Sequence, residues 1–277
     1  MIRIVLTLLT LGLQTPAPPM EFVKIEPGSF RMGCSPGDMT CDPDENPAHP
    51  VKLTKSFEIG KFEVTQAQWL AVMGAPNRSR FKGDNLPVEN VSWLDVQQFL
   101  NRMNERNDGY HYRMPTEAEW EYAAWGGSKD CEFAWGNELQ PGGEHRANVW
   151  QGNFPWQNSC ADGFARTSPV GSYAPNGFGL FDMIGNVWEW TEDWFTARHP
   201  ENSSKPCCVI SNPRGGPKSG SHDRGGGPPI PRKVIKGGSH LCAPSYCRRY
   251  RPAARHAHPI DSSTSHIGFR CVKRRTK

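Results

Sequence analysis

Two cysteines, Cys242 and Cys247, stand five positions apart, preceded by Gly237-Gly238-Ser239 and followed by Arg248-Arg249-Tyr250-Arg251. Thiols at this spacing have two fates. They oxidise to a disulfide, ordinary in an exported protein, or as thiolates they hold a soft metal ion. Cys-x4-Cys is not by itself a metal signature, so the spacing alone favours the disulfide. Oxygen chemistry is the second candidate. Asp162-Gly163, Asn176-Gly177 and Gly185-Asn186 place oxygen-bearing side chains in loops, but by themselves they read as turns.

The other cysteines give an oxidising compartment some support. There are nine in all, an odd number that leaves at least one thiol over. Cys34 and Cys41 bracket a short loop and are able to pair. Cys131, Cys160 and the adjacent Cys207 and Cys208 have no spacing that dictates partners. The first nineteen residues form a signal-like leader: Arg3, an apolar run from Ile4 to Leu13 too short to span a bilayer, then a Pro-rich spacer. This predicts a periplasmic or secreted protein, touching the membrane only if the leader stays uncleaved.

The elements that must position these residues are few. Thr65 with Gln68, Ser92 with Asp95 and Thr116 with Glu119 are capping boxes, each opening a helix, and Gly74 ends the first. In the second helix Val96, Phe99, Leu100 and Met103 fall on one face. Phe22 to Ile25 and Ser29 to Gly33 alternate around Pro27-Gly28 and read as a hairpin, and Val51 to Ile59 as one strand. Beyond Gly126 no helical period persists. Gly 28 and Pro 25 together approach a fifth of the 277 residues, against about 12% in ordinary usage. Ten tryptophans and thirteen phenylalanines argue against disorder. The reading is a loop-rich α+β chain with one domain over 20–273, a basic tail at 274–277 and a Pro/Gly/Ser-rich surface loop over 199–232. The net charge of +4 is too mild for nucleic-acid binding. The late arginines, Arg248 to Arg275, read as ion-paired or solvated. His240 reads as packing, and His256, His258 and His266 as surface groups titrating near neutrality.

Four segments in order carry a resemblance: Phe22 to Gly33, Tyr112-Arg113-Met114-Pro115-Thr116-Glu117-Ala118-Glu119-Trp120, Pro175 to Trp190 with its Gly185-Asn186-Val187-Trp188-Glu189-Trp190, and Gly237 to Cys271. Together they resemble the formylglycine-generating enzyme (sulfatase-modifying factor) family. That family implies an irregular, loop-rich α+β fold of C-type-lectin-like kind, with few short helices and small antiparallel sheets. It also implies a copper oxidase, most simply a monomer, that uses O2 to convert the cysteine of a sulfatase Cys-x-Pro-x-Arg segment, through a thioaldehyde, to Cα-formylglycine. Cys242 and Cys247 match the Cu(I) ligands, whose softness suits that ion, Ser239 matches an active-site serine, and Trp188 belongs to the site's surroundings. Asn148, Val149, Asp162 and Phe164 match one family calcium site. Asp182, Gly185, Val187 and Glu189 match another, as expected of hard oxygen donors from loops. A lectin-like binding module with a Cys242–Cys247 disulfide, or an oxidase or maturation factor acting on another protein, are the competing readings. Three departures bear on the choice. Ala243-Pro244 replaces a polar His-Arg pair, the stretch from Gly74 to Val91 lacks a tryptophan-containing insertion, and Ala124 and Pro252 stand where animal members have a disulfide, with Cys271 lacking its usual partner.

Overall fold

A computed structural model describes residues 19–36, 38–74, 76–200, 209–223 and 229–276. Residues 1–18 of the leader, Cys207 and Cys208 lie outside these residues. Three α-helices form where the caps predict them: α1 Gln66–Met73, α2 Trp93–Glu105 and α3 Glu117–Trp125. In each, the cap side chain accepts a backbone N–H from the third helical residue, whose own side chain reaches back to the cap. Gly74 and Gly126 end α1 and α3 in the left-handed region, at φ 78° and 58°. None is long and apolar enough to cross a membrane among the described residues.

Among the described residues, eleven short strands make three sheets. They are β1 Phe22–Ile25, β2 Gly28–Met32, β3 His49–Leu53, β4 Phe57–Gly60, β5 Tyr110–Arg113, β6 Trp188–Trp194, β7 Ile210–Ser211, β8 Arg232–Lys236, β9 Arg255–Pro259, β10 Ile267–Gly268 and β11 Val272–Arg275. The sheet orders are β1-β4-β11-β5, β10-β6-β8-β9 and β2-β3-β7.

The hairpin expected at Pro27-Gly28 does not form. β1 pairs with β4 and β2 with β3, with registers Phe22↔Gly60 and Met32↔His49. Residues 22–32 are therefore one arm of a long antiparallel ribbon and residues 49–60 the other. Pro27, which has no N–H to give a ladder, and Thr54-Lys55-Ser56 opposite it mark a shared bend that hands the ribbon from one sheet to the next. The expected strand Val51–Ile59 is accordingly broken in two. The ribbon's tip, residues 33–48, is closed by the Cys34–Cys41 disulfide.

The core has two parts. One gathers Trp69, Phe99, Trp188, Trp190, Tyr250 and Phe269 with Cys242, and the other packs α3 against the bent ribbon. Four cationic side chains are buried with carboxylates: Arg251 with Glu45, Arg255 with Glu117, Arg270 with Glu189 and Lys236 with Glu121. Of the late arginines, Arg251, Arg255 and Arg270 are thus ion-paired inside the protein rather than on its surface, Arg248 and Arg249 pair half-buried, and Arg274 and Arg275 are exposed, as read. Burial forces the pairing, since a lone charge there would be far costlier. The 199–232 segment is also less free than expected. His199 and Ser221 are buried, and β7 pairs in parallel with β3.

Candidate active site

The two-cysteine segment leaves β8 through Gly237 and Gly238, both left-handed at φ 93° and 70°. A Cβ on Gly238 would lie 2.7 Å from the Arg249 carbonyl, so only glycine lets the entering and leaving limbs meet this closely. Ser239, fully buried, accepts the Cys242 N–H on its carbonyl at 2.9 Å, and its Oγ accepts the Leu241 N–H at 3.3 Å. The Cys242 carbonyl in turn accepts the Trp150 N–H at 3.0 Å. The turn Ala243–Cys247, closed by the Cys247 N–H on the Ala243 carbonyl at 3.0 Å, then brings the second thiol back.

The sulfurs lie 3.1 Å apart, both as free thiols. A disulfide needs about 2.05 Å, so the pair is reduced and in contact. Cys242 is buried at 2% exposure, while Cys247 is half-buried. Their contact raises Cys242, which burial also holds protonated. The same contact lowers Cys247 to about 7, against the opposing effect of burial and with help from the Arg249 charge. Trp188 belongs to the same apolar cluster as Cys242, with Cys247 packed against it. The structure thus brings Cys242, Cys247 and Ser239 together and places Trp188 in the same core cluster as Cys242. Phe154 stacks on Tyr246 at 4.6 Å and meets Trp150 edge-on at 5.1 Å, forming an aromatic flank one residue from Cys247.

His240 is packing, as read: its Nδ1 faces the Asn186 carbonyl at 3.0 Å, and burial lowers its pKa to about 4. The expectation for His256, His258 and His266 is corrected. His256 and His258 lie on β9 against Trp188 and Trp190, and burial takes each to about 4, well away from neutrality. Burial lowers His266 as well. Cys271 is buried in the core, its thiol pushed up by desolvation, and is unsuited to chemistry.

The two expected oxygen sites adjoin one another. The Asn148 carbonyl accepts the Asn186 N–H at 2.9 Å, and Asn148 Nδ2 donates to Asn186 Oδ1 at 3.3 Å. Asp162 Oδ1 accepts the Phe164 N–H at 3.0 Å, while its buried Oδ2 makes no close hydrogen bond among the described residues, though the Tyr173 phenol interacts with this carboxylate. The Val149 carbonyl accepts from Gln151 Nε2 at 2.9 Å. On the other side, Asp182 Oδ2 accepts the Gly171 N–H at 2.6 Å, and Gly185 N–H donates to the Gly237 carbonyl at 2.9 Å. Glu189 engages Arg270 with both oxygens, at 2.9 and 2.7 Å from its Nε, and also accepts Trp120 Nε1 at 2.7 Å.

Glu63, which the sequence reading passed over, takes the Val187 N–H at 3.2 Å and Asn186 Nδ2 at 2.6 Å. Three buried carboxylates, Glu63, Asp182 and Glu189, therefore crowd round the single Arg270 guanidinium. Burial first, then Asp182 and Glu189, pushes Glu63 well up, and burial raises Asp182 to about 6. Only its place three residues before the Gln66 that begins α1 could have drawn attention to Glu63. Among the described residues, no three His, Cys, Asp or Glu side chains form a ready metal cage.

This arrangement, two reduced thiols at the end of a glycine turn in an irregular α+β frame, has close counterparts. Residues 11–275 match the sulfatase-modifying factor enzyme 1-like domain. The formylglycine-generating enzyme of Mus musculus is 44% identical over 211 residues, covering 74% of this chain and 50% of the mouse protein. That of Streptomyces coelicolor is 44% identical over 300 residues, covering 90% of this chain and 88% of its own. The chain thus spans half the length of the mouse relative and nearly all of the bacterial one. Among solved structures, PvdO from Pseudomonas aeruginosa superposes with a TM-score of 0.70 at 26% identity, over 94% of this chain and 99% of that one. The chain belongs to the sulfatase-modifying factor enzyme family.

Proposed function

We propose that this chain converts a cysteine in a sulfatase Cys-x-Pro-x-Arg segment to Cα-formylglycine, with Cys242 and Cys247 holding copper(I) and O2 as the oxidant. The observation that carries the reading is the reduced pair at 3.1 Å, one sulfur buried and the other half-open, in a chain 44% identical to named formylglycine-generating enzymes. The donor set fits the ion: two thiols, able to act as soft thiolate ligands, suit copper(I) better than any hard cation. When bound, copper supplies the one-electron and O2 chemistry that thiols and carboxylates lack.

The chain's own residues do the rest. Cys247 gives up its proton readily and Cys242 must follow on metal loading, so the site releases protons as it fills. Ser239 and Trp150 fix the Cys242 backbone from both sides, and the apolar cluster around Cys242 keeps water from the buried sulfur. Phe154 and Tyr246 offer an apolar wall to a peptide lying over Cys247.

Calcium is proposed as a structural partner. The buried Asp162 Oδ2, which makes no close hydrogen bond among the described residues, supports a cation beside Asn148, Val149 and Phe164. The excess of buried carboxylate at Glu63 and Asp182 supports one beside Gly185 and Val187. Glu189 enters that second set only by sharing its oxygens with Arg270. Export is proposed from the leader and from the Cys34–Cys41 disulfide.

The decisive test loads the reduced protein with copper(I) and incubates it in air with a Cys-x-Pro-x-Arg peptide. Aldehyde formation, read as mass loss, is expected, and both Cys242→Ser and Cys247→Ser abolish it. A protein that binds no copper and keeps Cys242–Cys247 as a bridge resistant to reduction is a binding module instead. Copper binding without turnover of this peptide points to an oxidase or maturation factor for another protein.

A further inference from the structure

The tip of the bent ribbon does not project into solvent. It folds down on the residues that follow Cys247. Arg249 Nε donates to Asp42 Oδ2 at 2.9 Å. Arg251 Nη1 donates to Asp38 Oδ2 at 2.7 Å and to Glu45 Oε2 at 2.8 Å, and its Nη2 to Glu45 Oε1 at 2.7 Å. The contacts join residues more than two hundred positions apart, and all three acids lie on the tip that Cys34–Cys41 closes.

The two halves of this clasp differ in kind. Arg251, Glu45 and Asp38 are buried, with side chains 2%, 0% and 3% exposed, and hold the tip on the body of the fold. Asp42 and Arg249 remain 40% and 33% exposed. Such a pair adds little to global stability, yet together with the Arg248–Glu132 pair and the buried Tyr250 it fixes the limb that leaves Cys247. Arg249 is two residues from Cys247, and its carbonyl is the atom that presses on Gly238. A tether at Arg249 therefore holds the leaving limb against the entering one, and so sets where Cys247 stands relative to Cys242.

We propose that Asp42 is a positioning residue for the two-cysteine site, acting through Arg249 to hold the Cys247 limb against Gly238. The proposal rests on the reading that Cys242 and Cys247 are the working pair. It makes the ribbon tip, which supplies no group to the chemistry, a determinant of how well the pair grips a metal or closes on itself.

The test compares wild type with Asp42→Ala, Asp42→Asn and Asp42→Glu in the full chain. The first readout needs no metal: the equilibrium of the Cys242–Cys247 pair in a glutathione buffer, resolved from Cys34–Cys41 by peptide mass mapping. Each bridge formed takes two thiols to a disulfide and reduces one glutathione disulfide to two glutathione thiols. The second readout is copper(I) affinity, by competition with a chromogenic chelator.

Asp42→Ala and Asp42→Asn should shift the glutathione equilibrium toward the dithiol, and weaken copper(I) binding, by roughly three- to fivefold, the worth of one half-exposed ion pair. Asp42→Glu should recover most of both, and the melting temperature should stay within about 2 °C, as for an exposed pair. Unchanged equilibrium and affinity in Asp42→Asn overturn the proposal. So does a shift that Glu does not recover and that tracks a fall in melting temperature. If the wild type binds no copper or turns over no peptide, the proposed function fails, while the glutathione equilibrium still judges Asp42.

Discussion

The protein carries two short cysteine pairs whose local sequences look alike and whose fates differ. Cys34 and Cys41, seven apart at the ribbon tip, are bonded. Cys242 and Cys247, five apart, touch at 3.1 Å and are not. Spacing does not separate them, and neither does chemistry. What differs is the backbone that presents them. At the tip the bond is one fastening among several, beside the Cys34 N–H on the Glu45 carbonyl, the Asp38 N–H on the Ser35 carbonyl and the Arg251 clasp, and it ties a loop whose cysteines are both half-buried. Around Cys242 the turn is already closed by hydrogen bonds from Cys242, Cys247 and Trp150, and the sulfurs are left free for other work. Both loops are held by other contacts; the tip pair adds a covalent tie to a half-buried excursion, while the second pair sits at the edge of the buried core with its sulfurs unbonded.

Exchanging the roles of the two pairs would break the comparison. Cys247→Ser is expected to abolish peptide turnover while moving the denaturation midpoint little. The double substitution Cys34→Ser, Cys41→Ser should do the reverse. Its loop of about eight residues implies a loss of roughly 2–3 kcal/mol, read as a lower urea midpoint, with turnover reduced only a few-fold. Equal effects of the two changes on turnover would mean that the tip pair also takes part in the reaction.

Between these lies Glu45, the buried acid that anchors the tip. Glu45→Gln leaves Arg251 with Asp38 alone, and should cost about 3 kcal/mol, the low end for breaking a buried pair. In a chain of this size that is a fall in melting temperature of roughly 6–12 °C. A change under 2 °C would show that Asp38 alone suffices to dock the tip.

The smallest effect sharpens the comparison through pH. Burial lowers His199 to about 3 and His256 and His258 to about 4, all below the ordinary 6.5. Each holds fewer protons folded than unfolded. Their contribution is therefore complete above pH 6.5 and is lost as pH falls through 4 toward 3. A melting temperature that drops by several degrees from pH 6.5 to 4, and less in His199→Phe, is expected. A flat profile over that range would mean these rings reach water.

How much of this was legible in the sequence depends on the range of the interaction. The three capped helices were, because a capping box is a contact between residues three apart. The site was legible as a cluster, because Gly237 to Cys247 is a continuous segment that fixes its own turn. The hairpin at Pro27-Gly28 was misread because alternation shows that a strand exists and not which strand it meets. The partners of Phe22 and Met32 lie at Gly60 and His49, and only the closed ribbon decides that. Glu63 and the acids opposite Arg249, Arg251, Arg255 and Arg270 were illegible for the same reason. A buried charge announces itself by its partner, and these partners lie roughly eighty to two hundred and ten residues away. His256 and His258 were read as surface groups because a short His-rich stretch looks hydrophilic until a tryptophan sheet is laid beside it.

The sheet order β1-β4-β11-β5 has a consequence for how the protein is made. β11, residues 272–275, lies between β4 and β5, so an interior strand of that sheet is made after the three strands it completes. Until it arrives, the bent ribbon and β5 face each other across an empty lane, and the arginines that neutralise Glu45, Glu117 and Glu189 are still unmade. Such a chain has little to gain by folding early. Its own topology holds that sheet open until its last strand is made.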